Sequence, residues 1–186
     1  AIGVEVAPRH RARRPRVAFI STGDELVMPG EVPPEDMKPG AIYNSNRFFL
    51  RVLLERLGCE VSDLGIVPDQ REATLAALKT AADHHDLILT SGGVSVGEED
   101  HIKPAVQQLG SLDLWQIAMK PGKPFAYGTV ERDAGVGADA TGHCHFIGLP
   151  GNPVSSFVTF LLLVRPFLLK LQGAAESVYQ PPFRAM

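Results

Sequence analysis

Two apolar runs, RVAFIST at 16–22 and LILT at 87–90, alternate with no polar face, and a third run, EVSDLGIV at 60–67, lies between them. A strand that is apolar on both sides has no face to give to water and must be covered on both by other elements. Each run ends in a Gly- or Pro-bearing loop and leads into a stretch of helical spacing. Strand, helix, strand, helix, strand, helix predicts parallel βαβ units, with helices on both faces of one sheet.

The helical stretches have their own start and stop signals. Asn44 or Ser45 can cap a helix in which Phe49, Val52, Leu53 and Leu57 recur on one face, and Gly58 ends it. Gln70 to Ala82 is rich in Ala and Leu, with Leu75 and Leu78 on one face. His101 to Leu109 forms a helix that tolerates Pro104 only in its first turn.

The second half changes character. Leu112 to Met119 alternates. Phe125 to Val130 and His143 to Leu149 flank the turn-rich insert ERDAGVGADATG and pair as an antiparallel hairpin. Pro150-Gly151-Asn152-Pro153 turns the chain into a last apolar helix. The expected fold is α/β: a mostly parallel, doubly wound sheet with a β-hairpin in the second half. At 186 residues and 45% hydrophobic the chain can bury one sizeable core, so one main domain with ragged ends is expected.

Composition removes several classes of function. A net charge of −3 makes no electrostatic case for nucleic acid. The basic cluster Arg9, His10, Arg11, Arg13, Arg14 and Arg16 has no interleaved aromatic and reads as a solvated linker before the first strand. Cys59 and Cys144 are too few for a disulfide scaffold, and no signal segment opens the chain, so a cytoplasmic protein is expected. The longest apolar run, Phe157 to Val164, stops at Arg165-Pro166, short of the roughly 20 residues that span a bilayer. It reads as a buried helix, with no membrane partner.

In open parallel sheets ligands bind beyond the carboxyl ends of the strands. The chemically unusual residues fall in those loops: STGDEL after the first strand, PD after the second, SGGVSVGEED after the third, then KPGKP and GLPGNPVS. Gly92, Gly93 and Gly97 let the backbone curl into a nest of N–H groups suited to an anion. Gly92 to Gly97 has P-loop spacing, but Glu98 and Glu99 stand where Lys and Ser/Thr would hold phosphate and magnesium, which excludes an ordinary P-loop. A glycine-rich turn before a helix start is the structural alternative.

Asp24, Glu25, Asp69 and Asp100 come from three loops to one rim. Carboxylates so placed can hold Mg²⁺, which bridges phosphate oxygens; alternatively Asp24 caps a turn and Asp100 a helix. Lys120 and Lys123 flank a rigid Pro-Gly turn and can face one tetrahedral oxyanion, or stand solvated. Ser155, Ser156 and the N–H groups at the start of the last helix would complete such a pocket. His143-Cys144-His145 has the look of a metal clip but reads better as a hairpin edge, for want of a second ligand cluster. His84-His85, between Asp83 and Asp86, reads as an ordinary helix end.

In order, STGDEL, GAIYNSN, LGIVPD, SGGVSVGEED, AMKPGKPFAYG and GLPGNPVSSFVTF resemble the molybdopterin-binding domain of the molybdopterin molybdenumtransferases, bacterial molybdenum insertases related to the gephyrin E domain. The resemblance runs from about Arg16 to Gly173. It implies a three-layer α/β/α domain at residues 16–178, with 1–15 and 179–186 as linkers to missing domains. It also implies that the domain binds adenylylated molybdopterin and molybdate, and that the full-length enzyme inserts molybdenum with Mg²⁺-dependent release of AMP.

By motif, the resemblance gives Glu25, Asp69, Asp100, Lys120 and Lys123 catalytic roles, with Glu25 and Asp100 on the metal. Gly92, Gly93, Ser95, Gly97, Pro150, Gly151, Asn152, Pro153 and Ser155 would contact or shape the pterin and oxyanion sites. A homo-oligomer and a molybdopterin adenylyltransferase are the implied protein partners. That adenylyltransferase, or a non-catalytic module of the competence/damage-inducible type, is the alternative reading; KPGKP and GLPGNPVS favour the insertase. Departures from the family pattern are the long loop Val27 to Gly40, Gln116 in place of a basic residue, and the long insert Glu131 to Gly142.

Overall fold

The computed structural model describes residues 14–94, 101–115, 124–133 and 142–174. Its elements are β1 (Arg16–Thr22), β2 (Leu26–Val27), β3 (Ile42–Tyr43), α1 (Asn46–Arg56), β4 (Glu60–Val67), α2 (Arg71–His84), β5 (Leu87–Ser91), α3 (Ile102–Leu109), β6 (Gly110–Trp115), β7 (Ala126–Glu131), β8 (His143–Leu149), α4 (Pro153–Thr159) and α5 (Arg165–Leu171). Six strands form one sheet in the order β4-β1-β5-β8-β7-β6. The pairs β1–β4, β1–β5 and β5–β8 are parallel, while β7 runs antiparallel to both β8 and β6. The sheet is therefore mostly parallel, with the hairpin closing its second half.

The alternation in β1 shows why the domain has three layers. Ala18 and Ile20 pack with Leu78, Ala81 and Ala82 of α2 and with Ile102, Ala105 and Val106 of α3. Val17 and Phe19 point the other way, into a core shared with Leu50 and Leu54 of α1 and with Phe160, Val164 and Leu168 of the last helix. Each buried Leu, Ile or Phe side chain contributes roughly 1.5–3 kcal/mol of transfer free energy, so an apolar strand covered on both faces anchors both layers.

Four expectations are corrected by the packing. On α1 the fully buried residues are Leu50 and Leu54, with Phe49, Leu53 and Leu57 packed beside them as expected, while Val52 is 49% exposed, because it lies on the far side of that face. The strand β8 is no hairpin edge: it lies between β5 and β7, and the edges of the sheet are β4 and β6. Arg16 belongs to β1 and pairs with Asp86, so it is part of the fold and not of a solvated arm.

The last helix is the fourth. It does not stop at Arg165-Pro166 but passes through one π turn, Phe160–Val164, into α5. Proline lacks an N–H and crowds the carbonyl four residues back, and a wider turn just before it relieves both problems. The run Pro153–Leu171 is 19 residues, long and apolar enough by length and composition to cross a membrane. It is half-buried, with Phe160, Val164 and Leu168 in the core and Phe157 45% exposed.

The loop after β1 contains structure that no periodicity announces. The two-residue strands β2 and β3 pair in parallel. Ile42 N–H donates to Glu25 O at 2.8 Å and Asn44 N–H to Val27 O at 2.9 Å. Tyr43 Oη donates to Val32 O at 2.9 Å, closing the long loop over this ladder.

Candidate functional site

At the carboxyl ends of β1 and β5, Thr22, Glu25, Tyr43, Asn44, Asn46, Ser91, Gly92, Gly151 and Pro153 share one cleft, of about 100 Å³. Glu25 reaches it because its main-chain carbonyl is held by Ile42 and its side chain folds back over Gly23. Gly23 has φ +137°, and a Cβ there would occupy the space of the Glu25 carboxylate. Glycine at 23 thus leaves room for the one charged group among the described cleft residues, which include no cation.

The floor of the cleft is polar and buried. Asn44 Nδ2 donates to Ser21 Oγ at 2.8 Å, and Asn46 Nδ2 donates to Ser91 Oγ at 2.8 Å and to Gly151 O at 2.7 Å. Asn46 therefore joins the first turn of α1 to the end of β5 and to the loop after β8. These polar residues end otherwise apolar strands, as IST and LTS. That is the one signal that could have singled out Thr22 and Ser91, which sequence reasoning missed together with Asn46.

Gly92 has φ +92°, and a Cβ there would collide with the Thr22 carbonyl. Its N–H donates to Leu149 O at 3.0 Å, so this member of the expected anion nest is engaged within the sheet. Gly93 has φ +65° and packs against the Thr22 hydroxyl and Ile102. A similar correction applies to the last helix. Asn152 is its cap, with Oδ1 accepting from Ser155 N–H at 3.0 Å and its carbonyl from Ser156 N–H at 2.9 Å. Two of the N–H groups at the start of this helix are thus taken by Asn152. The Ser156 hydroxyl donates to Pro150 O, and Ser155 is buried.

Asp69 lies apart from the residues that line the cleft. Its N–H donates to Asp24 Oδ1 at 3.0 Å, which ties the loop after β4 to the loop after β1. The structure thus separates the acidic set: Glu25 in the cleft, Asp24 and Asp69 in a loop-to-loop contact. Ser95, Gly97, Asp100, Lys120 and Lys123 lie outside the described residues.

The histidines and cysteines sit elsewhere. Burial pushes the Cys144 thiol up to about 12 and that of Cys59 to about 11, so both stay protonated near neutrality. His145 stacks on Tyr127, whose hydroxyl is 3.2 Å from its Nδ1, and lies edge-on to Phe167. Burial lowers its pKa. His85 Nδ1–H donates to Ala81 O at 2.8 Å, and burial lowers the pKa of this ring too.

Residues 18–170 match the family described as "Probable molybdopterin binding domain". The chain belongs to this molybdenum-cofactor biosynthesis domain family. It is 45% identical over 174 residues to the molybdopterin molybdenumtransferase of Haemophilus influenzae, covering 94% of this chain and 39% of that protein. It is 34% identical to gephyrin of Dictyostelium discoideum, over 88% of this chain and 25% of gephyrin. The molybdopterin biosynthesis MoeA protein of Pyrococcus horikoshii superposes with a TM-score of 0.70 at 35% identity, over 87% of this chain and 36% of that one. The chain thus spans well under half the length of these relatives. A molybdenum cofactor biosynthesis protein B, at 17% identity and a TM-score of 0.59, shares the fold.

Proposed function

We propose that this domain binds adenylylated molybdopterin and molybdate, and that a longer polypeptide carrying it inserts molybdenum into the pterin dithiolene with release of AMP. The observation that carries the reading is the convergence of the GDEL, NSN, SGG and PGNP segments on one cleft at the carboxyl ends of the strands. Its support from outside the chain is the set of curated relatives named molybdopterin molybdenumtransferase or gephyrin at 34–45% identity. Fold alone would not separate this reading from an adenylyltransferase, since a MoeA protein and a molybdenum cofactor biosynthesis protein B both superpose on it.

The charge of the cleft bears on how a phosphate could enter. A dianionic phosphoanhydride beside Glu25, with no cation among the described lining residues, meets only repulsion. Oxygen ligands of the Glu25 type suit Mg²⁺, which takes one or two carboxylates together with substrate phosphates. Held by Glu25 and Asp100, Mg²⁺ would supply charge neutralisation at the pyrophosphate. Lys120 and Lys123 would hold the tetrahedral molybdate as point charges, and Gly92, Gly93 and Gly151 let the backbone come close to the ligand. Asp69 would act through the loop contact with Asp24. The polypeptide would work as a homo-oligomer, with a molybdopterin adenylyltransferase as the supplier of its substrate.

Calorimetric titration of the chain with molybdopterin, in Mg²⁺, and with molybdate tests this. Glu25→Gln should weaken pterin binding roughly tenfold, the scale of one charge-assisted contact, and Lys120→Ala should weaken molybdate binding by a similar factor. A wild-type chain that bound neither ligand would sink the reading. Formation of pyrophosphate from ATP and molybdopterin would favour the adenylyltransferase instead.

A further inference from the structure

Buried polar atoms almost always have partners, because an unpaired one keeps the full penalty of its lost hydration. Among the described residues five buried side-chain N or O atoms have none, and two of them, Thr22 Oγ1 and Asn46 Oδ1, belong to residues lining the same cleft. Both residues are over nine-tenths buried, at 6% and 5% exposure.

The orientation of the Asn46 amide follows from chemistry. Gly151 O can only accept, and it lies 2.7 Å from one end of the amide, so that end is the NH₂. Its second N–H goes to Ser91 Oγ. The opposite end is therefore the carbonyl oxygen, an acceptor with nothing to accept. Neighbouring backbone donors are engaged: Gly92 N–H on Leu149 O and Asn44 N–H on Val27 O. With Glu25 as the only charged lining group among the described residues, this corner offers acceptors in excess of donors.

We infer that Asn46 Oδ1, with the Thr22 hydroxyl beside the two glycines, receives an N–H or O–H donor of the bound ligand, so that this corner reads a neutral, donor-bearing part and not its phosphate. The identity of the ligand rests on the function proposed above. Three parts of an adenylylated pterin carry such donors: the amino and ring N–H edge of the pterin, the ribose hydroxyls, and the amino group of the adenine. Asn46 is then a specificity-determining residue as well as the tie between α1, β5 and the loop after β8.

The test is the affinity of the intact chain for matched pairs of probes, one with and one without the donor. The pairs are 6-hydroxymethylpterin against its N3-methyl analogue, AMP against 2′-deoxy-AMP and 3′-deoxy-AMP, and AMP against purine riboside 5′-monophosphate, which lacks the adenine amino group. The wild type should prefer the donor-bearing member of one pair about five- to tenfold, the scale of one hydrogen bond. That preference should fall to about onefold in Asn46→Ala, and the pair that shows it identifies the part of the ligand read here. Thr22→Val separates recognition from folding. Removing a buried hydroxyl that has no partner should leave the melting temperature unchanged or raised, yet should weaken the same preference.

If the variants kept the wild-type preference, or if the wild type bound the probes without any preference, the inference would be wrong and the proposed function would stand. If the wild type bound neither pterin nor nucleotide, both would fall together.

Discussion

The two rims of the sheet use buried polar groups in opposite ways. At the amino-terminal rim, Asp86 Oδ2 accepts from Arg16 N–H at 2.8 Å, and its Oδ1 accepts from Arg16 Nη2 at 3.2 Å. Arg132, its side chain 3% exposed, lies 3.8 Å from the same carboxylate and donates to Ala82 O and His85 O. Charges there are paired, and they lock β1, β5, α2 and the end of β7 together. The leftover atoms on that rim, Arg16 Nε and Arg132 Nη1, are donors on guanidinium groups already bound elsewhere. In the cleft at the carboxyl rim the described lining groups are neutral, apart from Glu25, and the leftovers are a carbonyl and a hydroxyl oxygen. One rim is closed by its own chain; the other is left to be completed.

The largest effect is expected at the closed rim. Asp86→Ala would strand two arginines and should cost about 3–5 kcal/mol in urea unfolding, as breaking a buried pair does. A loss below about 1 kcal/mol, the range of a surface pair, would break the comparison. Gly92→Ala comes next. It forces a Cβ against the Thr22 carbonyl at φ +92° and should cost about 1–3 kcal/mol, with ligand affinity falling as well.

A smaller, pH-dependent effect comes from His85, whose pKa burial lowers below its ordinary value. Between the lowered folded value and about 6.5 the unfolded chain binds a proton that the fold refuses, so stability should fall as pH drops below about 6.5. Urea midpoints at pH 7.5 and 5.5 should differ less in His85→Gln than in the wild type. An equal difference would remove His85 from the account. The smallest change in stability is expected at the open rim, where Glu25→Gln should shift it by no more than about 0.5 kcal/mol while still weakening pterin binding. A large loss of stability would show that Glu25 builds the fold and is not held ready for a ligand.

Much of this architecture was legible in the residues. β1, β4, β5 and the pairing of β7 with β8 follow from short apolar runs bounded by Gly and Pro, where local pattern and tertiary role agree. The errors lie where a neighbour decides. Val52 has the right spacing but meets solvent, since the angle of α1 on the sheet is set by what Leu50 and Leu54 pack against. Pro166 carries a stop signal, yet a π turn lets the helix pass it. The pairing of β2 with β3 has two residues on each strand and no period to read.

The candidate cleft divides in the same way. Glu25, Gly92, Gly151 and Pro153 were visible because charge, glycine and proline in strand-end loops are local signals. Asn46 was not, because its meaning comes from Ser91, 45 residues away, and Gly151, 105 residues away. The sequence by itself determined the alternation of elements, through periodicity, and the family, through the resemblance of its ordered motifs, and its loop chemistry pointed to the rim on which a ligand would sit. Only the tertiary structure decided which donors and acceptors there are already taken, because a hydrogen bond is exhausted by a partner in space and not by a neighbour in the chain.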